Sequence, residues 1–159
     1  MKILIVSDTH RYLGTLEEAL AAEAPIDMLI HLGDVERQMA DIMEMADCPV
    51  HMIAGNNDFL SGLPNEEEFE IGKYRVFITH GHNYLVNISE ERLKDIARIL
   101  EADIVMYGHT HVPSVTEEDG MIVLNPGSLT FPRQEGRQPS YIVMTLDEEG
   151  EASFEIRYL

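Results

Sequence analysis

Three things are scarce in this sequence. Among 159 residues there is one cysteine, Cys48, so no intramolecular disulfide can form and the composition suits a reducing compartment. Cys48 itself reads as a small hydrophobe ahead of Pro49. Long apolar runs are also missing, since none approaches the roughly 18–20 residues needed to cross a bilayer. The opening "MKILIVSDTH" has one lysine and a short apolar run, but Asp8 and His10 stand where a cleavage region would fall. It reads as a first strand, not a signal peptide. Asn87-Ile88-Ser89 matches a glycosylation sequon, which carries no weight without secretion. The expected location is cytoplasmic, away from membranes.

The third shortage is positive charge. Eleven Lys and Arg face 29 Asp and Glu, for a net charge of −18. Such a surface repels phosphate backbones, which argues against long nucleic acids as partners. An anionic substrate would need positive charge concentrated locally, and bound metal would supply it.

What is present is an ordinary globular balance, 45% hydrophobic and 25% charged, with no repeat, low-complexity segment or linker. A single domain spanning 1–159 is expected, as a monomer or a homo-oligomer. Apolar runs of strand length stop abruptly in polar clusters. "KILIVSDTH" ends in Asp8 and His10, "DMLIHLGD" in Gly33-Asp34, and "VHMIAGNND" in Gly55-Asn56-Asn57-Asp58. "YRVFITHGH" ends in His80-Gly81-His82, "DIVMYGHTH" in His109 and His111, and "MIVLNPGS" in Asn125 to Ser128.

Runs this rich in Ile and Val read as strands buried on both faces. Helical patterns lie between them. Thr15 to Ala24 opens with a capping-box spacing, Thr15 to Glu18. Residues 36–46 set Met39, Ile42, Met43 and Ala46 on one stripe, and Ser89 to Glu101 does the same with Leu93, Ile96, Ala97 and Leu100. The last third predicts hairpins around Glu118-Asp119-Gly120 and Glu149-Gly150. The fold class expected is α/β, two mixed sheets with helices outside. Ligands in such sheets bind at the carboxyl ends of strands, where the first five polar clusters fall.

The donors in those clusters suit a two-metal phosphoesterase centre, in which cations about 3.5–4 Å apart clamp a phosphoryl group and generate a hydroxide nucleophile. Asp8 and His10 can grip one metal, and Asp34 after Gly33 has two oxygens to share. Asn56 offers a carbonyl oxygen, His80 an imidazole, and His109 and His111 one imidazole each. Sulfur donors are absent from the clusters. Manganese is the ion first expected, with iron, nickel, cobalt and zinc also accommodated.

The ordered set Asp-x-His, Gly-Asp, Gly-Asn, His, Gly-His-x-His resembles the calcineurin-like metallophosphoesterase superfamily. "SDTH", "GNND", "THGH" and "LNPGS" bring it nearest the small prokaryotic phosphodiesterase branch. The resemblance spans Lys2 to about Tyr141. It implies a four-layer α/β/β/α sandwich and hydrolysis of a small phosphodiester or phosphomonoester by a hydroxide activated on two divalent ions. It also implies Asp8, His10, Asp34 and His111 for one metal, and Asp34, Asn56, His80 and His109 for the other.

One position departs from the superfamily. Many members carry a His after the motif Asn to protonate the leaving group, whereas here it is Asn57, which is no acid. His82 is the replacement candidate. Arg11, Asn57 and Asn125 are candidate substrate contacts, with Arg133 and Ser128 nearby in kind, and His31 and His51 read as buried supports. The alternative function is a protein-interaction scaffold, as in the retromer subunit that shares this superfamily's fold. Intact donors at all seven positions favour catalysis.

Overall fold

In strand β1 (Lys2–Val6), Ile3 and Ile5 face one way and Leu4 and Val6 the other, and all four are fully buried. A strand with apolar residues on both faces needs two cores, and the computed structural model, which describes residues 1–159, has both. β1 lies at the centre of a five-stranded sheet ordered β10-β9-β1-β2-β3, with β2 at Met28–His31, β3 at Val50–Met52, β9 at Ser140–Leu146 and β10 at Ala152–Tyr158. β1, β2 and β3 run parallel, while β9 is antiparallel to β1 and β10 is antiparallel to β9.

The second sheet is ordered β4-β5-β6-β8-β7, with β4 at Glu66–Ile71, β5 at Tyr74–Thr79, β6 at Ile104–Met106, β7 at Pro113–Glu118 and β8 at Met121–Pro126. Here β5, β6 and β8 are the parallel strands. The middle core is shared between the sheets: Ile3, Ile5 and Ile30 from the first meet Val76, Ile78 and Met106 from the second.

Helices close the outer faces. Leu16 and Ala19 of α1 (Gly14–Glu23) and Ile42 of α2 (Met39–Ala46) pack on Leu4, Val6 and Leu29. Leu93 and Ala97 of α3 (Glu91–Ile99) pack on Phe77 and Val105. The result is the expected four-layer α/β/β/α sandwich. No helix is long and apolar enough to cross a membrane.

Several boundaries differ from the sequence expectation. α1 starts a residue before Thr15, because the Leu13 carbonyl already accepts from the Glu17 N–H at 2.9 Å. Thr15 therefore caps nothing, and its hydroxyl is buried without a partner. α2 begins at Met39 and not at residue 36, since Glu36 and Arg37 hold left-handed backbone (φ 48° and 77°) that cannot continue into a helix. Met43 is 56% exposed, so its stripe is narrower than the spacing implied. α3 spans Glu91–Ile99, inside the expected 89–101: its N-cap is Glu90, and the Ser89 hydroxyl one residue earlier accepts from the Glu91 N–H at 3.2 Å. Strand β4 is new. Its "EEEFEI" alternates exposed and half-buried positions at a sheet edge, where charge discourages pairing with another chain.

Candidate metal centre

Parallel strands from both sheets end on the same side of the sandwich. The residues just past β1, β2 and β3 are Asp8 and His10, Asp34, and Asn56; those just past β5 and β6 are His80, and His109 and His111. Backbone conformation then turns the side chains inward. Asp8, His10, Asp34, His109 and His111 all have φ between 42° and 67°. Left-handed backbone at non-glycine residues costs on the order of 1–3 kcal/mol each and persists only where surroundings enforce it. The close approach of β2 to β3 depends on glycine. A Cβ on Gly33 would lie 2.7 Å from the Gly55 nitrogen, and one on Gly55 would lie 2.1 Å from Asp34 Oδ1.

The three central histidines share one arrangement. His10 Nδ1 donates to Glu36 Oε1 at 2.8 Å, His80 Nδ1 to the Leu32 carbonyl at 2.6 Å, and His111 Nδ1 to the Phe131 carbonyl at 2.7 Å. These acceptors hold the proton on Nδ1 and leave the Nε2 lone pair facing the centre, the usual way a protein presents imidazole to a metal. His10 Nε2 lies 3.4 Å from His111 Nε2 and 3.7 Å from Asp34 Oδ2. His111 Nε2 lies 3.0 Å from Asp8 Oδ1, an oxygen that is buried and makes no well-aligned hydrogen bond. His80 Nε2 stands 3.6 Å from Asp34 Oδ2 and 3.2 Å from Asn56 Oδ1.

Facing lone pairs and an orphaned carboxylate oxygen repel one another unless a cation lies among them. The donor set fits that need. Asp8, His10 and His111 bring ligand atoms within 4.8 Å of one another, and so do Asp8, Asp34 and His80. Asp34 Oδ2 lies between His10 and His80, at 3.7 and 3.6 Å. His109 stands further out, its ring 5.1 Å from that of His80 and its backbone N–H donating to Asp8 Oδ2 at 3.2 Å.

Other sequence candidates fall in different places. Asn57 lines the central cavity and clamps Asp34, donating its backbone N–H to Oδ1 at 2.8 Å and its amide to Oδ2 at 2.7 Å. His82 lies beside the second half, its ring 5.4 Å from that of His80, and burial foremost and then His80 hold its pKa below the ordinary histidine range. Arg11 pairs through Nε with Glu36 Oε2 at 2.7 Å and so braces the carboxylate that orients His10. Asn125 requires correction as a substrate contact. It is fully buried, and its amide donates to the Gly108 carbonyl and to Thr110 Oγ1, which holds the "GHTH" loop in place.

Ser128 has a similar supporting role, donating to the Asp8 carbonyl at 2.9 Å. His31 accepts from the Gly33 N–H and lies 3.1 Å from Thr9 Oγ1, joining the first two loops. His51 sits away from the centre, stacked on Phe69.

Two residues escaped the sequence reading. Asp58 accepts from the backbone N–H groups of Asp34, Val35, Glu36 and Gly55, tying the β2 and β3 loops together. Its signal was a carboxylate three residues after a loop glycine, a local turn pattern. Glu36 was hidden because its position was assigned to a helix.

Residues 1–149 match the calcineurin-like phosphoesterase superfamily domain, and the chain belongs to that superfamily. It is 32% identical over 154 residues to the probable metallophosphoesterase YsnB of Bacillus subtilis, covering 94% of this chain and 86% of the relative. Phosphodiesterase MJ0936 of Methanocaldococcus jannaschii is 34% identical over 146 residues, 80% of this chain and 83% of the relative. A predicted phosphoesterase from Streptococcus pneumoniae TIGR4 superposes with a TM-score of 0.81 at 29% identity, covering 98% of this chain and 97% of that one. Vps29 of Entamoeba histolytica, solved with Zn²⁺, shares the fold at TM-score 0.78 and 24% identity, covering 99% of each chain.

Proposed function

We propose that this phosphoesterase-family chain is a phosphodiesterase acting on a small phosphodiester with two divalent metal ions. The observation that carries the reading is the convergence of three Nε2 lone pairs, each fixed by a bond at Nδ1, on the buried carboxylates Asp8 and Asp34. Asp8, His10, Asp34 and His111 would hold one ion, and Asp34, Asn56, His80 and His109 the other. Manganese is the first choice among ions that take mixed nitrogen and oxygen donors. Ions held there would neutralise phosphoryl charge and activate water.

The chain's own residues define the rest. Asn57 fixes both Asp34 oxygens, so that carboxylate keeps its orientation when substrate enters. His82 borders the neighbouring cavity with Asn56 and is the group placed to deliver a proton to the leaving oxygen. His82→Gln is therefore expected to slow esters with poor leaving groups at least 10-fold more than p-nitrophenyl esters. An equal effect on both would remove His82 from that role.

The direct test uses bis(p-nitrophenyl) phosphate and metal-stripped protein. Turnover is expected to return with Mn²⁺, to vanish with chelator, and to fall at least 100-fold in Asp34→Ala. The second reading, an interaction scaffold, draws on the Vps29 fold and on the acid missing at Asn57. Metal binding without turnover of any diester would favour it.

A further inference from the structure

Positive charge is scarce here, and most of it is paired with carboxylates. Of the eleven Lys and Arg, seven form ion pairs: Lys2, Arg11, Lys73, Arg75, Lys94, Arg98 and Arg157. Arg37, Arg92, Arg133 and Arg137 form none. Arg133 and Arg137 line one cleft of about 560 Å³, together with Thr130, Phe131 and Pro132. Its volume falls within the range of small-molecule sites.

This cleft adjoins the candidate metal centre. Phe131 and Arg133 belong to its wall and also to the wall of the central cavity of about 190 Å³, which holds His10, Asp34, Asn57 and His111. The shared wall is fixed in position. The Arg133 N–H donates to the His111 carbonyl at 3.0 Å, the Phe131 carbonyl orients His111, and the Phe131 ring lies 5.2 Å from that of His10. Phe131 is still 57% exposed, which leaves ring surface for a ligand.

A second neighbouring cavity, which shares Asn56 with the central one, has no Lys or Arg in its wall. It is lined by Asn56, Phe59, Leu60 and Asn65 among others. The centre is thus bordered by one guanidinium-lined cleft and one cleft that has no Lys or Arg and includes the carboxylate Asp58.

Building on the phosphodiesterase reading, we propose that the cleft of Arg133 and Arg137 is a subsite for a second phosphate, and that the substrate is a phosphodiester carrying one. The class meant is nucleotide-like, with the sugar or base between the two phosphates lying against Phe131. In a chain of charge −18, two guanidinium groups left free beside the centre are the local attraction that an anionic ligand requires. Glu135, in the same loop, lines neither cleft and pairs with neither arginine.

The test uses ligands that differ by one phosphate. Binding of thymidine 3′,5′-bisphosphate and of thymidine 5′-monophosphate to the Mn²⁺-loaded protein would be measured by titration calorimetry. At least 10-fold tighter binding of the bisphosphate is expected, with the preference reduced to within about 2-fold in Arg137→Gln. Arg137 does not border the central cavity, so its substitution separates the subsite from the metal centre. Equal binding of the two ligands by the wild-type protein, or a preference unchanged in Arg137→Gln, would overturn the subsite. Hydrolysis of the p-nitrophenyl esters of the same two nucleotides reports separately on the phosphodiesterase reading, because affinity is read whether or not either ester turns over.

Discussion

Asp58 is the residue on which the centre's geometry most depends without contributing a donor to it. One carboxylate accepts four backbone N–H groups, and three of them belong to Asp34 and the two residues after it. Hydrogen bonds to an ionised acceptor are stronger than neutral ones, and removing the acceptor leaves buried donors unsatisfied. Asp58→Ala is expected to cost at least about 3 kcal/mol in denaturant unfolding and to weaken Mn²⁺ binding more than 10-fold. Asp58→Asn retains one acceptor oxygen and should fall between. Sequence could not reveal this role, since the partners of Asp58 lie 22 to 24 positions upstream as well as beside it. The same limit applied to Asn125, which follows an apolar run as the candidate donors do, yet lies within β8 with its amide turned to the loop of Gly108 and Thr110.

At the scale of elements, the legible part was the rhythm of apolar run and polar stop. It located β1, β2, β3, β5, β6 and β8, and the candidate donors beyond the first five of them, because parallel strands place their carboxyl ends together. The hairpins of the last third were equally plain. Edges and helix starts were not. β4 hides behind four glutamates, and the start of α2 depends on two left-handed residues that no periodicity reports.

The meeting of the β2 and β3 loops is an element-scale device open to test. Gly55 has no left-handed backbone to protect, so Gly55→Ala is a purely steric change, a methyl carbon 2.1 Å from Asp34 Oδ1. The two loops must separate to admit it. The variant is expected to stay folded, with more than 10-fold weaker Mn²⁺ affinity by titration calorimetry. Unaltered affinity would mean that Asp34 can shift without cost.

For the whole molecule, acid sensitivity is set partly by His31, which is fully buried beneath the centre. Burial lowers its pKa from 6.5 to about 4, against the opposing pull of Asp8 and Asp58. The unfolded chain takes up this proton below pH 6.5 and the folded chain does not until about pH 4, so stability falls as pH drops through that window. The component is on the order of 3 kcal/mol. Denaturant unfolding between pH 7 and 4 should show a steeper decline in the wild type than in His31→Gln, and parallel curves would exclude the effect.

β1, which leads into Asp8 and His10, has β2 on one side and β9 on the other. Its second neighbour is thus synthesised more than 130 residues after it. The loop orienting His111 closes through Phe131, and Asp8 is tied by its carbonyl to Ser128. A nascent chain on the ribosome can therefore carry all seven candidate donors and still lack the walls that aim them. On the two-metal reading proposed above, metal acquisition becomes one of the last events in the maturation of this protein, and a fragment released early would be a weak and unselective chelator.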